Sequence, residues 1–324
     1  MAFFLNVYDI GVDVITDNEE FDLYLKDNYS LFIVKERTKT RITAKFSKDE
    51  GDKVKQGIGN LKRIGENFYI GKNEFCWLNE FGATIKVELN NDKITVKGFH
   101  YNLLEKISLE ETLKNYMRCM RWFIHFPLFI LLEKEQNKKI VHASAVSKNG
   151  EAFIFAGLNK VGKSSLARYL YENEGFNYIS DNFLLTDGYR VFAFPELNRL
   201  SQESIEKLKI NTKGLRYIYD KFHIPFDPEK IDMEVDVKKL FLVNNSSSFF
   251  LEKINTSEAN IYLNAIHRYL KEFPEYTFFS IMEFYGYSQS SNRNYFSHHI
   301  DSYELSFPMD WNFNNIFKEI KKCI

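Results

Sequence analysis

Cysteine is scarce in this chain. Cys76, Cys119 and Cys323 form an odd, widely spaced set, so neither a disulfide framework nor a cysteine metal site is expected, and the pattern fits a reducing cytoplasm. An excess of either charge is also missing. The 43 Lys and Arg against 44 Asp and Glu leave a formal net charge of −1, which argues against an overall electrostatic drive towards nucleic acid or anionic membrane. The opening residues Met1-Ala2-Phe3-Phe4-Leu5-Asn6 lack a basic segment followed by a long apolar run, so no signal peptide is expected. The most apolar stretch, residues 122–132, carries His125 and Pro127 and is too short to cross a bilayer. It reads as a buried helix broken or kinked at the proline. A cytoplasmic protein without nucleic-acid or membrane partners is the expectation.

What the chain does have is ample material for a core. A hydrophobic fraction of 44% beside 27% charged residues is that of a soluble globular protein, and 324 residues predict roughly two domains. Residues 1–105 alternate between short apolar-aromatic runs and polar turns. Strand candidates are residues 30–34, 40–46, 67–70, 83–89 and 93–99, the last two joined by an Asn90-Asn91-Asp92 turn. This half offers no cluster of acid, base and nucleophile and reads as a β-rich accessory domain. A second domain is expected over 106–324. At its start Ser108 and Glu111 form a capping-box pattern, opening a helix to about Phe126 and another to Glu135, both expected to pack on the following sheet.

The stretch that carries chemistry is Gly157-Leu158-Asn159-Lys160-Val161-Gly162-Lys163-Ser164, which fits the phosphate-binding pattern G-x-x-x-x-G-K-[ST]. It follows an apolar strand candidate, residues 151–156, and precedes a helix candidate that Gly175 would stop. In that setting Gly157, Asn159, Lys160, Val161, Gly162, Lys163, Ser164 and Ser165 would surround a triphosphate: loop amides and the helix start on its oxygens, Lys163 at the β/γ-phosphates, Ser164 on Mg²⁺. Upstream, residues 140–146 form a strand interrupted by His142, and Asn149-Gly150 turns it into the strand feeding the loop. Downstream, Asp181 stands at the end of a short strand, where a Mg²⁺-associated or proton-accepting carboxylate is needed. Asp187, in Thr186-Asp187-Gly188, reads as turn chemistry. The strand over 236–243 ends in asparagine and serine, without a terminal acid. Residues 259–273 are helical in pattern, stopped by Pro274, and His298-His299 has no third metal ligand at a recognisable spacing.

Taken in order, His142, the 157–164 loop and Asp181 resemble the catalytic domain of HPr kinase/phosphorylase, and especially HPr-kinase-like proteins with a His-Ala-Ser stretch before the loop, some of them in peptide-modification pathways. The resemblance covers residues 110–200. It implies an α/β fold with the P-loop mixed sheet shared with phosphoenolpyruvate carboxykinases, here behind a β-rich N-terminal accessory domain. It also implies ATP and Mg²⁺, and transfer of the γ-phosphate to a hydroxyl, with Ser or Thr of a peptide or small protein as acceptor. Asp181 would be the general base, His142 would assist beside the transferred phosphate, and Arg199 would stabilise phosphoryl charge. Ser164, Asp181 and Asn182 would lie at the metal. The family's usual Asp-Asp is Asp181-Asn182 here, so a second carboxylate, or Ser164 with waters, must compensate. Lys160 replaces a commonly small loop residue. No equivalent of the segment tied to HPr dephosphorylation is found, so phosphorylase activity is not expected. A small-molecule kinase and a non-catalytic nucleotide-binding protein are the alternatives, and a homo-oligomer is left open.

Overall fold

The structure is a computed structural model that describes residues 1–323 except 65, 81, 91, 106, 195, 219, 270–280, 287–293 and 309. The chain divides into two compact units: Met1–Glu135 with Phe278–Ser288, and Gln136–Thr277 with Gln289–Ile324. Both are built of helices on large mixed sheets, an α/β architecture. No helix among the described residues is long and apolar enough to cross a membrane.

In the first unit nine strands make one sheet: β1 (Ala2–Val7), β2 (Ile10–Thr16), β3 (Ile33–Val34), β4 (Thr40–Phe46), β5 (Lys62–Arg63), β6 (Phe68–Ile70), β7 (Glu74–Glu80), β8 (Ala83–Asn90) and β9 (Lys93–His100). Their order is β3-β1-β2-β4-β9-β8-β7-β6-β5, with β2–β4 and β4–β9 parallel. Each parallel step needs a crossover, and helices α1 (Glu19–Asn28) and α2 (Lys48–Gln56) lie in these connections. Asn18 and Ser47 cap them by accepting from the amides of Phe21 and Glu50.

Helix α3 (Leu109–Met120) opens at Ser108, whose hydroxyl accepts from Glu111 N–H at 3.2 Å. A π-helical turn, Arg121–His125, leads into α4 (Phe126–Gln136). Pro127 has no N–H to give the preceding turn, and the widened turn absorbs that loss, so the expected break becomes a continuous helix with a bulge. These helices cover the first sheet rather than the second: Tyr116 meets Phe21 at 5.2 Å, Phe123 meets Phe46 at 5.4 Å and Trp122 meets Trp77 at 4.7 Å between ring centroids. The first unit therefore runs to Glu135, thirty residues past the expected boundary.

The second unit contains β10 (Lys139–Val141), β11 (Ala143–Lys148), β12 (Glu151–Ala156), α5 (Lys163–Asn173), β13 (Asn177–Ser180), β14 (Leu184–Thr186) and β15 (Arg190–Phe192). There follow β16 (Asn198–Leu200), α6 (Gln202–Leu208), β17 (Arg216–Ile218), β18 (Lys221–Ile224), β19 (Glu234–Asn245), β20 (Phe250–Ile254), α7 (Thr256–Tyr269), β21 (Asp301–Phe307) and α8 (Phe313–Ile320). The helix stop expected at Pro274 lies outside the described residues. The main sheet runs β10-β14-β15-β19-β12-β11-β13, and β21 and then β20 extend it beside β19. Strands β12, β19 and β21 are parallel, while β11 runs antiparallel between β12 and β13. Asn149 (φ 54°) and Gly150 (φ 77°) make the tight β11–β12 turn, since both residues tolerate left-handed backbone. One sheet face buries Phe153, Phe155, Leu166, Leu170 and Phe241 against α5 and α8; the other buries Ile154, Leu240, Leu242 and Leu263 against α7. A separate sheet, β16-β18-β17, seats Leu200, Phe222 and Ile224 on Ile205 and Leu208 of α6.

Candidate functional site

The strand directions bring three segments to one edge of the second sheet. Strand β12 ends at Ala156, which pairs with Ala143, the first residue of β11. Ser180, the last residue of β13, pairs with Ala145 on the other side of β11. The loop after β12, His142 before β11 and Asp181 after β13 therefore share an edge about 10 Å across, two strand spacings.

The loop has the strand before it and the helix after it that its sequence called for. Gly157 is required because a Cβ there would stand 2.3 Å from the Val243 carbonyl oxygen of β19. Gly162 takes φ 96° at the start of α5. Lys160 takes φ 66°, which costs a residue with a side chain about 1–2 kcal/mol. Val161 is buried with the α5 core. The leading amides of α5, from Lys163 on, have no carbonyl one turn back within the helix to donate to. A run of amides spanning a left-handed turn and a helix start is a cradle for anionic oxygens. Lys163 is buried, and its ammonium donates to the carbonyls of Gly157 at 2.8 Å and Leu158 at 2.7 Å. Burial pulls its pKa down to about 8; Asp181 opposes this shift and Lys221 adds to it.

Asp181 is 4% exposed and fully engaged. Its Oδ1 accepts from the hydroxyls of Ser164, at 2.8 Å, and Ser144, and its Oδ2 accepts from Asn198 Nδ2 at 2.8 Å. The turn behind it is tight. Phe183 N–H donates to Asp181 O at 2.9 Å around Asn182, which has φ 73°. Buried Ser180 pins the same turn by donating to the carbonyls of Phe183 and Phe194. Asparagine suits position 182 because it tolerates left-handed backbone. Its side-chain amide turns to Glu196 Oε2 at 3.5 Å, and its carbonyl lies 3.2 Å from His142 Nδ1. His142 Nε2 lies 3.1 Å from Asn159 Oδ1, so this imidazole ties the loop to the turn after Asp181. Arg199 Nη2 lies 3.9 Å from Glu196 Oε2. Ser165 reaches Ser204 of α6 at 2.8 Å between hydroxyl oxygens.

The loop residues, His142, Asp181, Asn182 and Arg199 named from the sequence thus converge. The sequence did not single out Ser144, Glu196, Asn198 or Lys221. Ser144 was findable, because in a strand it faces the same way as His142 two residues earlier. Glu196 supplies a second carboxylate near Asn182. Ser164 Oγ and an Asp181 carboxylate oxygen, 2.8 Å apart, are hard oxygen donors that fit Mg²⁺, which takes one or two protein oxygens and completes its shell with phosphate and water. Among the described residues no group of three or more His, Cys, Asp or Glu could hold a metal. No protein-family model matches the chain, and no curated protein matches it.

Proposed function

We propose that the protein is an ATP- and Mg²⁺-dependent kinase that transfers the γ-phosphate to a hydroxyl, with Ser or Thr of a peptide or small protein as the acceptor class. The observation that carries this reading is the buried Asp181 carboxylate bonded to Ser164, the hydroxyl residue that closes the G-x-x-x-x-G-K-S motif. Mg²⁺, when bound, neutralises charge on the phosphates. The chain's own contributions are separate. The loop amides and Lys163 hold the phosphate oxygens, and Ser164 and Asp181 offer the metal its protein oxygens. Asp181, steadied by Ser144 and Asn198, takes the proton from the acceptor hydroxyl as that oxygen attacks the phosphorus. His142 and Asn159 keep loop and turn in register. Glu196 weighs against the non-catalytic alternative, because the carboxylate missing at Asn182 has a counterpart beside it.

The test is transfer of labelled γ-phosphate to Ser- and Thr-containing peptides, with nucleotide binding measured in parallel. Asp181→Asn is expected to lower transfer by ~10²–10⁴-fold while nucleotide still binds. Lys163→Ala is expected to damage both. Transfer at the normal rate by the Asp181 variant would remove the base from the mechanism.

A further inference from the structure

The loop has a second flank that the proposed transfer leaves unused. Asp181 follows β13, two strands to one side of β12; on the other side come β19, β21 and then β20. Strands β12, β19 and β21 are parallel, so all three end at the loop's edge of the sheet. Contacts tie those ends to the loop itself. A Cβ on Gly157 would strike the Val243 carbonyl of β19, and one on Gly162 would stand 3.4 Å from the ring of Phe307, the last residue of β21. Asn245, the last residue of β19, pairs with Phe307 and is exposed. Residues 246–249 then cross the end of β21, with Ser246 N–H donating to the Phe307 carbonyl at 3.2 Å, and lead into β20. One further step of the β20–β21 register sets Phe249 opposite Phe307.

These side chains share the face that carries α5 and α8. Val243 and Phe307 belong to the core under those helices, and Phe249 and Trp311 pack against it. Asn245, two residues after Val243 on one strand, projects from the same face. Trp311 stands in the turn from β21 into α8, where its N–H donates to the Pro308 carbonyl at 3.0 Å. Its indole lies flat on Phe249, with ring centroids 4.9 Å apart and planes 7° from parallel. Phe307 is buried, whereas Phe249 and Trp311 are only half-buried. The flank beside Gly162 thus combines a phenyl floor, a part-open aromatic stack and an exposed amide. A flat, polar-edged ring is the ligand such a surface suits. The direction of the triphosphate brings one there. Its terminal phosphate must lie at Asp181 for the acceptor to be deprotonated, so the nucleoside end points away from Asp181, towards β19 and β21.

We propose that Trp311 stacks on the adenine base of the bound nucleotide and Asn245 hydrogen-bonds its edge, making the ends of β19 and β21 the nucleoside half of the site. An asparagine amide presents one donor and one acceptor, the pair that adenine's amino group and neighbouring ring nitrogen require. This inference rests on the nucleotide reading above. The test is calorimetric titration of the full chain, with Mg²⁺, by the β,γ-imido analogue of ATP and separately by inorganic tripolyphosphate, which lacks the nucleoside. Trp311→Ala is expected to weaken the analogue by ~10-fold or more, the scale of one lost base–aromatic stack, and tripolyphosphate by less than ~2-fold. Trp311→Phe should recover most of the loss, and Asn245→Ala should weaken the analogue alone by ~3-fold or more. Circular dichroism checks that the alanine variant is folded; if it is not, Trp311→Leu, which keeps apolar bulk without a ring, replaces it. Equal loss for both ligands, or no loss for either, overturns the inference while leaving the phosphate loop standing. If tripolyphosphate binds too weakly to register, the analogue's loss in the Trp311 variants decides alone. Failure of the unaltered protein to bind the analogue overturns both readings.

Discussion

Lys163 is held in a state that a bound phosphate would relieve. Its ammonium is buried on two carbonyls with a pKa near 8, against an ordinary lysine value of 10.5. Between these values the folded chain has released a proton that the unfolded chain still holds, so this group makes stability rise with pH from about 8 towards 10.5. Below about 8 both forms are protonated and the cost of the buried charge is constant. An anion in the loop raises the pKa again. Triphosphate binding at pH 8.5 is therefore expected to take up a fraction of a proton, and at pH 6.5 none through this lysine. Calorimetry in two buffers of different ionisation heat reads the difference, and Lys163→Met should abolish it; equal heats at pH 8.5 would contradict the account. At this scale the site was legible where local chemistry marks it. The lysine and serine of the motif and the aspartate at a strand end declare themselves. Asn198 and Glu196 do not, because what recruits them is the register of a small sheet that strand-sized apolar runs did not announce. Asn182 was legible as a departure, yet its reason, a backbone turn at positive φ, lies in geometry.

Among the elements, the run from α3 through the π turn to α4 shows what periodicity can and cannot tell. The Ser108 cap and the helical spacing were readable, because both are local. Which sheet the helices cover was not: the apolar residues 122–132 would suit either, and the decision lies in ring contacts distant in sequence. Trp122 against Trp77 and Phe123 against Phe46 make that choice. Trp122→Ala is expected to destabilise the first unit by about 3–5 kcal/mol through the cavity it leaves. Chemical denaturation followed by tryptophan fluorescence would show it, and a loss below about 1 kcal/mol would mean that the helices are held by something else. The loop strand and its hairpin were legible for the opposite reason, since Asn149-Gly150 and the two flanking apolar runs are contiguous.

At the scale of the whole molecule the residue pattern reads as two domains with one cut, whereas the chain returns to its first unit late. Tyr285 donates to the carbonyls of Gly71 and Glu74, and its ring stacks on Phe75 at 6.0 Å. Separately produced fragments 1–135 and 136–324 are therefore expected to associate when mixed, through residues 281–286, and co-elution in size-exclusion chromatography would register it. Independent elution, or no effect of Tyr285→Ala on co-elution, would count against a discontinuous first unit. Neither hydropathy nor turn chemistry marks such a return, because it is a pairing between segments more than two hundred residues apart.

The close approach of Gly157 to the Val243 carbonyl has a consequence in time. The glycine loop is complete as a sequence once Ser164 has been made, yet the backbone it leans on belongs to β19, which ends at Asn245. At synthesis rates of roughly 5–20 residues per second the growing chain spends on the order of 4–16 seconds with the loop present and its support missing. During that interval β12 lacks its parallel neighbour, and its open edge is exposed to whatever strand is near. A nascent chain stalled before residue 243 should therefore carry the whole motif without a formed cradle.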